Sequence, residues 1–347
     1  MTAKRFELWE HVRHQAPSCG SHWMSSKFEK ELVSVIIPTF NRAHFLGDCL
    51  QSVLQQSYRP IELILVDDGS TDSTPEIVER WRASLSNAGK FSFVFIQQKN
   101  QGANVARNRA LLESRGEFIQ FLDSDDLLLP DKLKIGIELL LKYKADYTYC
   151  PVLFRDENLR EIPGRIGSPF SRTDKDITTY LWQTMGPLYR RDLIYRVGPW
   201  LETIFYGDDW EYASRVKLMN RNGIYDSAPG GWLRIHPRPE RRLPKDRERE
   251  YKEYHAAYCS VLKIAKMTDR LSPVVCNRLA RRFFLNALFF GKSGDSVLRR
   301  ESLKKAREMF PLPFSLNAAI WLFSRIRSGW FDSFAANLLL RAVTIKA

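Results

Sequence analysis

From residue 33 onward, short β-branched runs alternate with segments of helical spacing, and two of the runs end in clusters of aspartates. Val33 to Ile37 (V-S-V-I-I), closed by Pro38, has the composition of a buried strand, as do Ile61 to Val66, Phe91 to Ile96 and Glu117 to Leu122. Between them, Phe45, Leu46, Cys49, Leu50 and Val53 recur at helical spacing. Asp72 or Ser73 can cap a second helix, with Pro75 in its first turn and Ile77, Val78 and Trp81 on one face; Asn104 to Glu113 reads as a third. Such alternation predicts an α/β fold, a mostly parallel, doubly wound sheet flanked by helices. Ligands of these sheets bind outside the carboxyl ends of the strands. Asp67-Asp68-Gly69-Ser70 and Asp123-Ser124-Asp125-Asp126 both fall at such ends.

Two carboxylates flanking one small residue at a strand end, as in Asp123-Ser124-Asp125, can reach a shared hard cation. Mg²⁺ and Mn²⁺ prefer oxygen ligands and complete their shell with substrate phosphates. Taken alone, acidic residues after a strand are more often solvated turn positions, and Asp67 to Ser70 reads equally as an Asx turn that caps a helix. The pairing of two acidic clusters on one sheet favours chemistry. Four acids beside Phe121 and Leu122 are costly to bury without a counter-cation or amide donors.

Pro38-Thr39-Phe40-Asn41-Arg42, Val66-Asp67-Asp68-Gly69-Ser70-Thr71-Asp72, Asn100-Gln101-Gly102 with Ala106-Arg107-Asn108, and Phe121-Leu122-Asp123-Ser124-Asp125-Asp126 follow one another in order. Together, over about residues 33 to 236, they resemble the family 2 glycosyltransferases, inverting enzymes with the GT-A, Rossmann-like nucleotide-sugar fold. That resemblance implies Mn²⁺ or Mg²⁺ as cofactor and roles for individual residues. Pro38, Thr39, Asn41 and Arg42 would line the nucleoside, and Asp67 or Asp68 would accept the imide hydrogen of a uracil ring. Arg107 would face the diphosphate, Asp123 would contact ribose and metal, and Asp125 would hold the metal. In Asp208-Asp209-Trp210-Glu211, which has Asp where Glu is usual in the first place, Asp209 would be the base that deprotonates the acceptor hydroxyl. A helix N-terminus enriched in acids is the plainer reading of the same four residues. His236 resembles a late histidine that helps hold metal or diphosphate, although a lone histidine is more often structural. Trp182 to Pro187 and Trp200 to Tyr206 read either as an acceptor pocket or as ordinary core.

The partners implied are a nucleotide-sugar donor and a carbohydrate or lipid-linked acceptor. The formal net charge of +13 points to anionic partners without choosing among them. Nucleic acid is not expected, because no recognised module is present and four acids at the obvious site would repel phosphate without a metal. Residues 1 to 31 read as a loosely packed arm, 32 to 240 as the catalytic domain, and 241 to 347 as a basic helical region. The last of these ends in two amphipathic stretches, Phe314 to Ile326 and Trp330 to Val343, which would either dock on an anionic membrane or cap the catalytic domain. Five scattered cysteines, no apolar leader and no apolar run of about 20 residues suggest a cytoplasmic protein, peripheral to the membrane at most. His11, His14, Cys19 and His22 lie close in sequence but match no common zinc spacing. A nucleotidyltransferase would also use acidic strand ends and a metal, but Pro38-Thr39-Phe40-Asn41 stands where its Gly-rich, lysine-containing loop belongs. A binding module that had lost turnover is the remaining alternative, against which Asp123, Asp125 and Asp209 all stand in place.

Overall fold

The computed structural model describes residues 10–12, 14–19, 28–85, 89–169, 182–220, 222–236 and 244–309. The chain divides into two compact units, Met1–Pro239 and Glu240–Ala347. The first is built on a seven-stranded sheet. Strands β1 (Glu29–Thr39), β2 (Ile61–Asp67), β3 (Phe91–Gln97) and β4 (Gly116–Phe121) run parallel in the order β3-β2-β1-β4. Helices α1 (Ala43–Leu54), α2 (Thr74–Ala83) and α3 (Ala103–Glu113) provide the crossovers. The sheet grows from β1 to β3 in one direction and returns to the other side of β1 with β4. The reversal opens a crevice at the carboxyl ends of β1 and β4, the place where such sheets bind ligands.

Both faces of the parallel strands are covered, so they read as near-continuous apolar runs. Val33, Val35 and Ile37 of β1 pack with Leu46, Leu50 and Val53 of α1 on one side. Ile36 joins Ile64, Val66, Ala106, Ala110, Ile119 and Phe121 on the other. Beyond β4 the parallel order stops. Strand β9 (Pro187–Arg190) is antiparallel to β4 and to β6 (Tyr147–Tyr149), and β10 (Gly223–Tyr225) closes the edge.

A second, four-stranded sheet, β5 (Leu127–Leu128), β11 (Gly231–Ile235), β7 (Val152–Asp156) and β8 (Glu161–Ile166), was not expected from the sequence. The run from Tyr147 to Leu153 is two strands in different sheets, β6 and β7, because Cys150-Pro151 interrupts it. Proline has no N–H for a ladder. The polar stretch around Pro163 and Gly164 forms β8, an exposed edge strand paired with β7.

Residues 16 to 19 also differ from a loose arm. Ala16 and Cys19 are buried in the same cluster as Ile36 and Phe121, and Gln15 accepts the Glu202 amide at 2.7 Å. Helices α4 (Lys132–Lys142), α5 (Arg191–Val197) and α6 (Asp208–Met219) complete this unit.

The second unit contains α7 (Pro244–Met267), α8 (Pro273–Ser293) and α9 (Ser296–Met309). Ser272 caps α8 by accepting the Val275 amide, and Gly294 ends it at φ 84°. Its core is apolar and aromatic: Val261, Leu279, Phe283 and Phe290 are buried, and Tyr251 stacks on Phe289 with centroids 3.6 Å apart. Among the described residues no helix is long and apolar enough to cross a membrane. The stretches Phe314 to Ile326 and Trp330 to Val343, and His22, lie outside the described residues.

Candidate active site

The ends of β1 and β2 are locked together by their own polar side chains. Asp68 donates its amide to the Thr39 carbonyl at 2.8 Å, continuing the pairing of Thr39 with Asp67. Asn41, at φ 51°, gives its amide to Ser70 Oγ and accepts the amides of Thr71 and Asp72 at 2.8 and 3.3 Å on Oδ1. Its amide oxygen is thus committed to the turn. Asp67 Oδ1 accepts the Ser70 amide at 3.0 Å, the Asx turn expected there. Gly69 turns at φ 79°, and a Cβ on it would lie 2.9 Å from the Asn100 nitrogen. Asp68 accepts the amides of Gln101 and Gly102 at 2.9 and 2.7 Å and Gln98 Nε2 at 2.8 Å, so it anchors the loop into α3. Pro38 and Thr39 are buried at the strand end, and Phe40 beside them is exposed.

The Asp123–Asp126 turn follows β4 directly. Its neighbours come from remote sequence. Strand β11 pairs antiparallel with β5, Trp232 opposite Leu127, and the Arg234 amide donates to Asp126 Oδ1 at 2.9 Å. This pairing carries His236 to the site, where Nε2 stands 3.0 Å from Asp125 Oδ2 and the ring packs against Phe45 at 4.9 Å. Arg42 Nε approaches the same Asp125 oxygen at 3.5 Å. Arg234 was not singled out from sequence. Its buried guanidinium lies over the Phe45 ring at 4.7 Å and pairs with Asp48 at 2.9 Å, fixing the strand that presents His236.

Arg107, which the resemblance places against a diphosphate, is 5% exposed and bridges two carboxylates, Asp123 Oδ1 at 2.8 Å and Asp208 Oδ2 at 3.0 Å, while its face lies 4.5 Å from the Trp200 ring. The physical reason lies in α3, which is buried nearly all round, with Asn104, Val105, Ala106, Arg107 and Asn108 all inside. Asn104 donates to the carbonyls of Leu201 and Ile204, both at 2.8 Å, and Asn108 exchanges two bonds with the Trp200 backbone, each 2.9 Å. These asparagines hold the loop that leads to α6. Polar residues three and four positions apart in a segment of helical spacing (Asn104, Arg107, Asn108) were the available signal for Asn104. Gly207 at φ 75° then starts α6, which presents Asp208 and Asp209 in its first turn. Asp209 Oδ1 accepts the Trp210 amide at 2.6 Å.

Burial pushes the Asp208 carboxyl from 3.8 up to about 7; Arg107 opposes this, and the charges of Asp209 and Asp123 add to it. A carboxyl with a raised folded-state pKa keeps a proton that the unfolded chain has already lost. Its contribution to stability is complete below the unfolded value and is lost as pH rises through about 7. The urea midpoint is therefore expected to fall more steeply between about pH 4 and pH 7 in wild type than in Asp208→Asn, which lacks this titration.

Trp182 and Trp200, read as pocket or core, are core: each is 3% exposed, and Trp200 stacks on Tyr212 at 4.1 Å. Phe205, 40% exposed, and Tyr206 are the aromatics that remain near the surface before Asp208. His14 is exposed beside Glu10, whereas Cys19 is buried, with its thiol pushed up to about 12 by burial and Glu202.

The donor set at the strand ends suits a hard cation. Asp125 and His236 meet at 3.0 Å with Arg42 beside them, whereas the Asp123 carboxylate is turned to Arg107 at 2.8 Å. A divalent ion there would be held by Asp125, His236 and Asp123, and would neutralise phosphate oxygens.

Residues 34–197 match the family model described as Glycosyl transferase family 2. The putative teichuronic acid biosynthesis glycosyltransferase TuaG of Bacillus subtilis is 38% identical over 147 residues, 42% of this chain and 57% of that protein. An uncharacterised Haemophilus influenzae glycosyltransferase is 38% identical over 34% of this chain and 48% of its own length. The chain thus spans about half the length of these curated relatives. Among solved structures, S. aureus TarS 1–349 in complex with UDP superposes with a TM-score of 0.53 at 19% identity, covering 80% of this chain and 91% of that one. The mannosyltransferase PcManGT from Pyrobaculum calidifontis, in complex with GDP-Man and Mn²⁺, gives 0.56 at 18% identity, covering 99% and 96%. These two share the GT-A fold described above. Residues 34–197 are therefore similar to glycosyltransferase family 2.

Proposed function

We propose that the protein is an inverting glycosyltransferase that moves a sugar from a UDP-sugar to an acceptor hydroxyl in the synthesis of a cell-surface polysaccharide or glycolipid. The observation that supports the reading is the bridging of Asp123, at the end of β4, and Asp208, at the start of α6, by the buried Arg107, with Asp125 and His236 3.0 Å apart in the same turn region. Nucleotide binding is supported by the solved relatives, which hold UDP and GDP-Man. A role in surface polymers is supported by TuaG, named for teichuronic acid biosynthesis.

In this reading Pro38, Thr39, Asn41 and Arg42 shape the nucleoside end, and Asp67 or Asp68 takes the imide hydrogen. Asp125, His236 and Asp123 hold Mn²⁺ or Mg²⁺, which supplies positive charge where the nucleoside diphosphate departs. Arg107 fixes Asp123 against Asp208, leaving Asp209 at the start of α6 to take the acceptor proton. Attack from the face opposite the diphosphate inverts the anomeric centre in one displacement, so no nucleophilic serine or cysteine is required. Phe205 and Tyr206 offer aromatic faces to a carbohydrate acceptor. The basic C-terminal region brings the enzyme to an anionic membrane surface where a lipid-linked acceptor resides.

Calorimetric titration of UDP with and without Mn²⁺ tests the donor site. Wild type is expected to bind UDP at least about tenfold more tightly with Mn²⁺, and Asp125→Asn to lose that difference. Metal-independent affinity in both proteins would overturn the assignment of Asp125. GDP binding in place of UDP would change the donor base.

A further inference from the structure

The helical unit holds a second group of metal-ligating side chains, different in chemistry from the carboxylate-rich crevice. His255 and Cys259 are four residues apart on α7 and therefore share a face. Glu301 comes from α9. One donor atom from each of these three lies within 4.8 Å of the other two. His255 is 5% exposed and sits against the rings of Phe283 and Phe290, with centroids at 5.4 and 6.0 Å. Its Nδ1 is 3.0 Å from Ser302 Oγ, which is fully buried.

That contact sets the orientation of the ring and turns Nε2 toward the other two donors. Nε2 is buried and has no hydrogen-bond partner among the described residues, and its nearest charged neighbour is Glu301 Oε1 at 3.5 Å. Burying an imidazole nitrogen without a hydrogen bond is costly, so its burial here calls for an occupant. Metal-binding histidines characteristically have the second ring nitrogen held by a neighbouring polar group, as Ser302 does here. Glu301 and Cys259 are only partly covered, which leaves a route in from solvent.

We propose that His255 Nε2, Cys259 Sγ and a Glu301 carboxylate oxygen bind a borderline divalent cation of the zinc type, with water in the fourth position. Nitrogen, thiolate and carboxylate together match Zn²⁺ or Co²⁺ and not the hard Mg²⁺. Binding transfers the Cys259 thiol proton to solvent and displaces Lys305, whose Nζ stands 3.6 Å from Glu301 Oε1. The ion clips α7 to α9 and serves the stability of the helical unit. It takes no part in sugar transfer.

Co²⁺ titration of the full-length, metal-stripped chain separates this site from the crevice, because only a thiolate ligand gives sulfur-to-cobalt charge-transfer absorption in the near ultraviolet. One such site per chain, with the band displaced by an equivalent of Zn²⁺, is the expected result. Cys259→Ser removes the band, and Glu301→Gln, a change at a partly exposed residue, weakens Co²⁺ binding about tenfold or more. A wild type without the band would overturn the proposal, as would a band that persists in Cys259→Ser. Should Cys259→Ser fail to fold, unchanged Co²⁺ affinity in Glu301→Gln would overturn it.

Discussion

Asp209→Asn is expected to lower turnover by about 10²–10⁴-fold, the range that a positioned general base supplies. The exchange keeps the shape of the side chain, and its amide oxygen can still accept the Trp210 amide that Asp209 Oδ1 holds at 2.6 Å. Helix α6 and its N-terminus therefore survive, and donor binding, which involves residues on other elements, stays near wild type. The measurement is steady-state transfer from a UDP-sugar with saturating donor, beside UDP affinity on the same preparation. A loss confined to kcat places Asp209 at the reacting hydroxyl. Full turnover in Asp209→Asn would leave the base to another group. Asp208→Asn is the informative contrast, because Asp208 spends one oxygen on Arg107 at 3.0 Å.

Arg107→Ala is expected to cost about 3 kcal/mol of stability and to abolish Mn²⁺-dependent UDP binding. A surface arginine removed in the same way would cost within about 0.5 kcal/mol. The difference arises because Arg107 is the cation between Asp123 and Asp208, whose side chains are 25% and 17% exposed. Without it Asp123 loses its counter-ion, the Asp208 carboxyl is pushed still further toward its protonated form, and Trp200 loses the guanidinium on its face. Arg107→Lys restores the charge but not the fork, so it recovers part of the stability and little of the binding. Urea denaturation and nucleotide calorimetry on both variants decide the matter. Stability near wild type in Arg107→Ala would mean that the bridge carries no net energy.

The parallel half of the sheet was legible because its physics is local. Strands β1, β2 and β4 are buried on both faces over most of their length and β3 is half-buried at the edge, so apolar runs mark them, and aspartates at the ends of β2 and β4 mark the crevice. The second sheet was not legible, because β5 is two residues long and β8 is exposed and polar. Neither carries a period that a reader of sequence can use. The break between β6 and β7 was written in Pro151 but went unread.

Residue types and their order determined by themselves that the chain would form a doubly wound sheet with acidic strand ends, because burial and turn chemistry act over a few residues. Tertiary structure alone decided what those acids face. His236 reaches Asp125 across 111 positions through the β5–β11 pairing, and Asp208 meets Arg107 across 101 positions because Asn104 and Asn108 tie down the loop before α6. Such contacts depend on register and loop path, which no local pattern encodes. The same is true of the helical unit, where only the packing of α9 on the face of α7 sets Glu301 beside His255 and Cys259.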